Sequence, residues 1–281
     1  MSVAVALPAA LAYGVADFAG GLATRRAAVL AVTAGAQFLG LIALVPAVFL
    51  VPGAPSAAAL GIGALAGIAG ASGLLLYFRG LAVGPMGVVA PLSAVVGAGL
   101  PLLVGLAGGE RLGAVAVAGL VVALAAIVLA TAGTRDAVAV RGILLGLASG
   151  AGFGLFFVGL DATPEGSGLW PLLAGRVVSV ALLGLLIAAL CVRRGREAAL
   201  GRATRGVVVL VAVSGVFDSL ANVLFLLATR LGDLGVSAVL VSLYPVVVVL
   251  LARLVLHERL STAQLTSAGL ALTASALLAL G

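Results

Sequence analysis

Long apolar runs, interrupted at charges and at Pro and Gly clusters, dominate the pattern of the chain. A bilayer core about 30 Å thick takes roughly 20 apolar residues per helix, and cutting the runs at their breaks gives ten segments of that size. In the first half they cover 3–24, 27–51, 57–78, 86–107 and 113–133. Their breaks are Arg25-Arg26, Pro52-Gly53-Ala54-Pro55, Arg79, Gly108-Gly109-Glu110-Arg111 and Thr134-Arg135-Asp136. In the second half they cover 142–160, 169–192, 206–229, 235–256 and 261–280, with an Arg-rich stretch at 193–205 and His257-Glu258-Arg259 among the breaks. The runs are continuously apolar instead of alternating, which predicts an α-helical bundle and not a closed barrel. Connections are short, so no soluble domain is inserted. The first run lacks a basic leader and has ordinary span length, so it is expected to stay as a helix.

Composition turns this pattern into a class. Of the 281 residues 64% are hydrophobic and 9% charged, against roughly 45–50% and 25% in soluble domains. A soluble globule cannot hide that much apolar surface, which excludes a cytosolic enzyme, a nucleic-acid-binding module and a disordered chain. All 15 basic residues are Arg; with Ala, Gly and Val so abundant, this fits a GC-rich bacterial genome and a multi-pass protein of the bacterial cytoplasmic membrane. One Cys and one His leave no internal disulfide and no His-based metal site. No cofactor is expected, and the Gly-rich runs lack the Gly-Lys-Ser/Thr ending of a phosphate loop.

The chain carries an internal repeat. Shifted by 148 residues, 77–112 overlies 225–260 without a gap and with 11 identities in 36 positions. Gly84, Gly87, Val88, Ala90 and Leu92 match Gly232, Gly235, Val236, Ala238 and Leu240, and Glu110-Arg111-Leu112 matches Glu258-Arg259-Leu260. The unit holds five helices, an odd number, so the second copy enters the membrane from the opposite side. The expected fold is therefore an all-α membrane protein of ten transmembrane helices in two inverted five-helix repeats, residues 1–134 and 141–281. Such repeats are common in secondary transporters, whose substrate sites lie near the midplane between the halves.

Several motifs resemble a known family. Tyr13-Gly14-Val15-Ala16-Asp17-Phe18 in the first span and Phe153-Gly154 in the sixth resemble the aromatic-Gly openings of EamA-type members of the drug/metabolite transporter superfamily. The Gly84…Gly87 turn leading to Gly109-Glu110-Arg111-Leu112, and Gly232…Gly235 leading to His257-Glu258-Arg259-Leu260, resemble the ends of that family's fourth and ninth helices. The resemblance implies export or exchange of small metabolites or drugs by alternating access through a central cavity. It also implies an Arg early in the second helix of each repeat. Arg176 fits, but its counterpart in the second span is Gln37, so the halves are not chemically equivalent.

Ionisable groups inside the hydrocarbon cost about 2.5–3.5 kcal/mol each at a helix centre and face the bundle interior or a wet cavity. Three stand out: Asp17, Arg176 and Asp218. They read either as a substrate- or proton-binding set or as a structural ion pair of Arg176 with one carboxylate. Asp17, near Arg25, leans toward structure. Asp218 and Asn222 are four apart and share a helical face. Tyr13, Tyr77, Ser93, Phe153, Asn222, Ser237 and Tyr244 complete the cavity candidates, with Ser72 and Ser242 as further intramembrane hydroxyls. Ser in membrane helices also simply packs or bonds across helices. Phe153, Phe156 and Phe157 form either a cavity wall or plain packing, and Trp170 suits an interfacial anchor. Glu110 and Glu258 are expected to pair with Arg111 and Arg259 or to stay solvated.

Twelve of the Arg residues fall on the face opposite the termini and two on the terminal face, with Arg176 inside. The positive-inside rule then puts both termini outside, whereas the family resemblance implies cytoplasmic termini; the orientation stays open. The function expected from the whole is secondary transport of a small organic solute by an exporter or exchanger, with the lipid bilayer as its medium and protons as the candidate coupling ion. The chain is not expected to be an enzyme or to bind nucleic acid, and monomer and homodimer are both open. The alternative is a membrane-embedded lipid-handling protein, enzyme or scramblase, or a non-transporting scaffold.

Overall fold

The computed structural model describes residues 2–107, 113–132, 137–164, 166–195, 200, 204–231, 241, 243–258 and 260–280. Among the described residues there are ten helices and no strand: α1 Ser2–Thr24, α2 Val29–Leu50, α3 Ala57–Val83, α4 Met86–Ala107, α5 Ala114–Ala132, α6 Ala137–Asp161, α7 Trp170–Arg194, α8 Arg205–Leu231, α9 Tyr244–Val255 and α10 Thr262–Leu280. Six described stretches are long and apolar enough to cross a bilayer: Val5–Thr24, Val29–Leu50, Ala57–Val83, Val140–Asp161, Trp170–Arg194 and Arg205–Phe225. Met86–Leu100, Ala114–Leu129, Tyr244–Val255 and Thr262–Leu278 are shorter apolar helical stretches.

Helix ends follow local chemistry. The Ser56 hydroxyl caps α3 by accepting from Ala59 N–H at 3.1 Å. Ser261 and Gln264 form a reciprocal capping box at the start of α10, Gln264 Oε1 accepting from Ser261 N–H at 3.0 Å and Ser261 Oγ from Gln264 N–H at 3.3 Å. Pro171 and Pro245 sit in the first turns of α7 and α9, where their missing N–H costs nothing. α7 ends at Gly195 with φ 85°, a left-handed position that favours glycine.

Two expected boundaries move. α3 does not stop at Arg79 but runs on to Val83. A single Arg is a good helix former, its side chain is exposed and free to reach out to the interface, and the first true breaker is Gly84-Pro85. α6 likewise begins at Ala137, ahead of Arg141. The repeat residues Gly232, Gly235, Val236, Ala238 and Leu240, the first-half triplet Glu110-Arg111-Leu112 and Arg259 lie outside the described residues.

The outer surface is apolar. Leu50 and Val192 are more than four-fifths exposed, and Phe49, Leu65, Leu124 and Leu254 more than three-fifths. A patch of that extent on a soluble protein would aggregate; here it is surface for lipid. Inside, helices approach through small residues, as membrane bundles do. A Cβ on Gly67 of α3 would stand 2.3 Å from the Gly175 carbonyl oxygen of α7, and Ser179 of α7 donates to the Gly67 carbonyl at 2.9 Å. A Cβ on Gly215 of α8 would stand 2.3 Å from the Ala36 carbonyl oxygen of α2, and Ser219 of α8 donates to the Gly40 carbonyl of α2 at 2.7 Å. Packing partners run in pairs: α3 lies against α6 and α7, as α8 lies against α1 and α2, while α5 packs on α10 and α2 on α7. The largest buried cluster brings Phe18 and Leu22 of α1 against Tyr77, Phe78 and Leu81 of α3, Met86 and Val89 of α4, and Val248 of α9.

One end of the bundle is tied by charge. Arg25, just past α1, donates from Nε to the Leu81 carbonyl at 3.0 Å and from a terminal nitrogen to the Gly84 carbonyl at 3.0 Å. Glu258, in the α9–α10 connection, turns inward toward Arg25 and the Met86 and Gly87 N–H groups of α4's first turn. This corrects the expectation of a solvated side chain: its Oε2 is buried and without a hydrogen-bond partner. A carboxylate is drawn there because a helix N-terminus offers free N–H groups and positive potential.

Two outcomes follow. Gly67→Ala is expected to force α3 and α7 apart and lower stability by about 1–3 kcal/mol, whereas Gly61→Ala, with nothing within 4 Å of its new methyl, leaves it level or higher; thermal unfolding in detergent reads both. For Glu258, burial pushes the carboxyl above its usual range, with Arg25 and the two N–H groups pulling the other way. The folded chain therefore holds this proton more tightly than the unfolded one. Its contribution to stability is full below the ordinary carboxylate range and is lost as pH rises through the raised value. The native chain should accordingly lose more melting temperature than E258Q between about pH 4 and pH 7.

Candidate functional site

The charged centre is built from four helices. Arg176 lies nearly two turns inside the start of α7, behind the small residue Gly175 that lets α7 close on α3. Its side chain is only 11% exposed. One terminal guanidinium nitrogen donates to Gln37 Oε1 of α2 and the other to Asp218 Oδ2 of α8, forming a short ion pair. Asn222, one turn along α8, donates from Nδ2 to the Asp218 backbone carbonyl at 2.8 Å and reaches its Oδ2 at 3.5 Å. The cation is thus held in a fork by an amide and a carboxylate, a geometry suited to guanidinium. A charge taken out of water needs such a partner, since the unpaired ion costs several kcal/mol.

Asp17 of α1 stands apart from that pair and has its own partner. Tyr77 of α3, fully buried, donates its hydroxyl to Asp17 Oδ2 at 3.0 Å. Tyr77 is itself fixed by Phe153 of α6, edge-on at 5.7 Å between centroids, and by Phe78 at 6.2 Å. Tyr13, four residues before Asp17 and hence on the same face of α1, stacks obliquely on Tyr244 of α9 at 6.0 Å. Tyr13 is within electrostatic reach of Asp218, Arg176, Asp17 and Tyr244, and Asp17 within reach of Asp218. Asp17, Arg176 and Asp218 all line one small cavity with Leu74, Phe78 and Ser214. It measures about 10 Å³, on the order of one water molecule, so larger cargo needs the helices to move.

Most of the expected residues converge here: Asp17, Arg176 and Asp218 on the cavity, with Tyr13, Tyr77, Phe153, Asn222 and Tyr244 around them. Asp17, read from sequence as leaning toward structure because of nearby Arg25, sits beside the other two charges. Ser93 does not join them. It is fully buried between α4 and α6, sharing a 2.7 Å hydrogen bond with Ser149. Ser72 is exposed and bonds its own helix at the Ile68 carbonyl. Ser237 and Ser242 lie outside the described residues. The three Phe residues of α6 form no common wall: Phe153 faces Tyr77, while Phe156 packs over Gly70 and Phe157 is 43% exposed. Trp170 meets Phe49 edge-on and donates to the Gly53 carbonyl at 3.3 Å.

Sequence reasoning missed Ser214 and the role of Gln37. Gln37 stands where the family resemblance implies an Arg; an amide in a largely apolar span is the signal that it belongs to the site. Arg176→Gln or Asp218→Asn is expected to lower stability by about 3 kcal/mol, as when one partner of a buried pair is removed. The double variant should lose clearly less than the sum of the two, as a double-mutant cycle of thermal unfolding would show.

Known proteins give this arrangement its context. A search among curated proteins finds no match. Twelve chains of solved structures are similar; one of them, described only as "Crystal structure of protein", superposes with a TM-score of 0.60 over 99% of this chain and 96% of its own at 17% identity, a likeness of fold alone. The profile of the EamA-like transporter family matches residues 140–280, the half that carries Arg176, Asp218 and Asn222. With its apolar exterior, its spanning helices and that match, this chain is a multi-pass membrane protein and belongs to the EamA-like transporter family.

Proposed function

We propose that the chain is a secondary transporter, an exporter or exchanger of small organic solutes, working by alternating access at the Asp17–Arg176–Asp218 cavity in the bacterial cytoplasmic membrane. The observation that carries this reading is the gathering of three ionisable side chains from α1, α7 and α8 around one internal cavity. A bundle has no structural need for a third charge beside a completed pair, and intramembrane charges of this kind mark solute and proton paths.

The inverted repeat is part of the same proposal, with 1–134 and 141–281 as its halves. Support comes from helix crossings. The 148-residue shift takes Gly67 to Gly215, and the pairing of Gln37 with Arg176 takes Ala36 to Gly175. The Gly67–Gly175 and Gly215–Ala36 approaches are thus counterparts, each with a Cβ-to-carbonyl distance of 2.3 Å. Two similar halves that touch through small residues can rock about the cavity between them. The sequence carries no Gly-Lys-Ser/Thr phosphate-loop ending, and the coupling proposed here is to a gradient, with protons as the ion and the carboxylates as the groups that carry them.

Reconstitution tests this. Proteoliposomes holding the full chain should exchange at least one amino acid, nucleobase or organic cation when a pH gradient is applied. Arg176→Gln and Asp218→Asn should each reduce the rate about tenfold or more, as losing about 1.4 kcal/mol or more would, in variants that still insert. Absence of flux for every solute, with and without the gradient, would overturn the reading.

A further inference from the structure

We propose that the groove between α2 and α8 binds an anionic phospholipid of the adjoining leaflet, one acyl chain lying in the groove and the phosphate resting at its arginine-lined mouth. This site is separate from the charged centre and goes beyond the transport reading.

The groove follows from how two helices cross. α2 and α8 start at the same end of the bundle and run side by side, Gly35 meeting Val211 and Gly40 meeting Ser219. Those meetings are close: a Cβ on Gly35 would stand 2.9 Å from Val211. Beside the tight crossing and toward the helix starts, a space of about 270 Å³ remains, against about 10 Å³ at the charged centre. α2 gives Ala31, Val32 and Phe38 to its walls and α8 gives Val207 and Val208, and every described residue that lines it is apolar. Phe38 is 51% and Val208 52% exposed, so the groove is open sideways to lipid. From Val29 to Leu39 the axis of α2 rises about 15 Å, half of a hydrocarbon core about 30 Å thick. That depth suits an acyl chain from one leaflet. A polar solute would find no partner for its hydrogen bonds there.

Charge at the mouth selects the headgroup. Ala27, directly after Arg26, lines the groove, as do Leu200 and Val207 on either side of Arg205. Arg26 and Arg205 are exposed, and among the described residues neither pairs with an acid. Arg25, by contrast, is spent on the Leu81 and Gly84 carbonyls. The segment 193–205 that leads into α8 holds five Arg and one Glu. Both helices begin here, so the positive ends of their dipoles add to the same potential. Basic residues at a membrane surface attract anionic lipids, and basic pockets between spanning helices take their headgroups. Arginines that only set topology would serve anywhere on this face. They would not need an apolar groove of leaflet depth beneath them.

The test uses the purified full chain, stripped of lipid in detergent, with bound molecules counted by native mass spectrometry. The probes are phosphatidylglycerol, phosphatidylcholine with the same chains, and glycerol 1-phosphate. One phosphatidylglycerol is expected to bind about tenfold tighter than phosphatidylcholine, and in Arg26→Gln/Arg205→Gln that preference should fall to about twofold or less. Arg79→Gln, at an exposed arginine outside the groove, should keep the preference, and glycerol 1-phosphate should neither bind nor displace the lipid. Ala31→Phe on one wall and Val208→Phe on the other fill the groove and should each weaken phosphatidylglycerol about tenfold. Every variant is checked by its thermal transition, and the two wall variants stand in for each other if one fails to fold. Equal affinity of the native chain for the two lipids, a preference that survives Arg26→Gln/Arg205→Gln, one lost equally in Arg79→Gln, or binding of glycerol 1-phosphate alone would sink the proposal. So would a native dimer that Ala31→Phe dissociates, since a second copy would then fill the groove. None of these measurements involves solute flux, and failure of either proposal leaves the other standing.

Discussion

A guanidinium inside hydrocarbon is the constraint on which the rest of this molecule depends. Arg176 cannot sit where it does without at least two acceptors in fixed places. Those acceptors come from α2 and α8, which are not neighbours in sequence. The ion pair therefore dictates that α2, α7 and α8 converge, and Asn222, one turn along α8, donates to the Asp218 backbone carbonyl and reaches its carboxylate at 3.5 Å. The apolar faces give affinity between helices and lipid alike and say little about register. The fork at Arg176 supplies the register.

That convergence would be impossible with ordinary side chains at the crossings. α7 reaches α3 only because Gly67 and Gly175 put backbone on backbone, and α8 reaches α2 only because Gly215 lies on Ala36. Ser179 and Ser219 then bond to the carbonyls exposed there, at 2.9 and 2.7 Å. Contacts of this type are individually modest, about 0.6 kcal/mol each, and contain no interlocking knobs. They hold a bundle together while leaving helices able to slide, which suits a cavity now no larger than a water molecule.

The spans were legible in the sequence because their length is set by the bilayer, and the helical class because the runs do not alternate. Boundaries were less so. A charge such as Arg79 looks like a stop, yet it ends nothing when its side chain can leave the helix sideways, and only Gly84-Pro85 removes the backbone's ability to continue. For the site, the intramembrane charges were visible as costs that demand a reason. Their partners were not. Position along a helix gives depth but not neighbours, so Asp17 was read from Arg25, its neighbour in sequence, and not from Tyr77, which is sixty residues away and within 3.0 Å. Ser93 failed for the same reason in the other direction, since its polar partner, Ser149, satisfies it away from the cavity. Gln37 shows what a family pattern hides: the departure from Arg reads as a loss until the second-half Arg is seen to need an acceptor.

The proposed repeat gives this asymmetry its meaning. Under the 148-residue shift Asp218 answers to Gly70, and under the helix-two pairing Arg176 answers to Gln37. The first half thus has an amide and a glycine where the second has a cation and an anion. Had both halves carried the pair, two guanidinium groups would meet across the α2–α7 contact, where Arg176 now bonds Gln37, and their repulsion would oppose closure of the helices. Replacing one Arg by an acceptor turns that repulsion into a bond and removes the need for a second acid at position 70, where Gly70 instead seats Phe156. Asp17, the intramembrane acid of the first half, stands outside that pair and accepts from Tyr77 instead. If the proposed halves are counterparts, one ion pair in the second and one carboxylate held by a neutral donor, Tyr77, in the first make the bundle polar in a single direction, and that polarity comes from a few side chains in a frame of small and aliphatic ones.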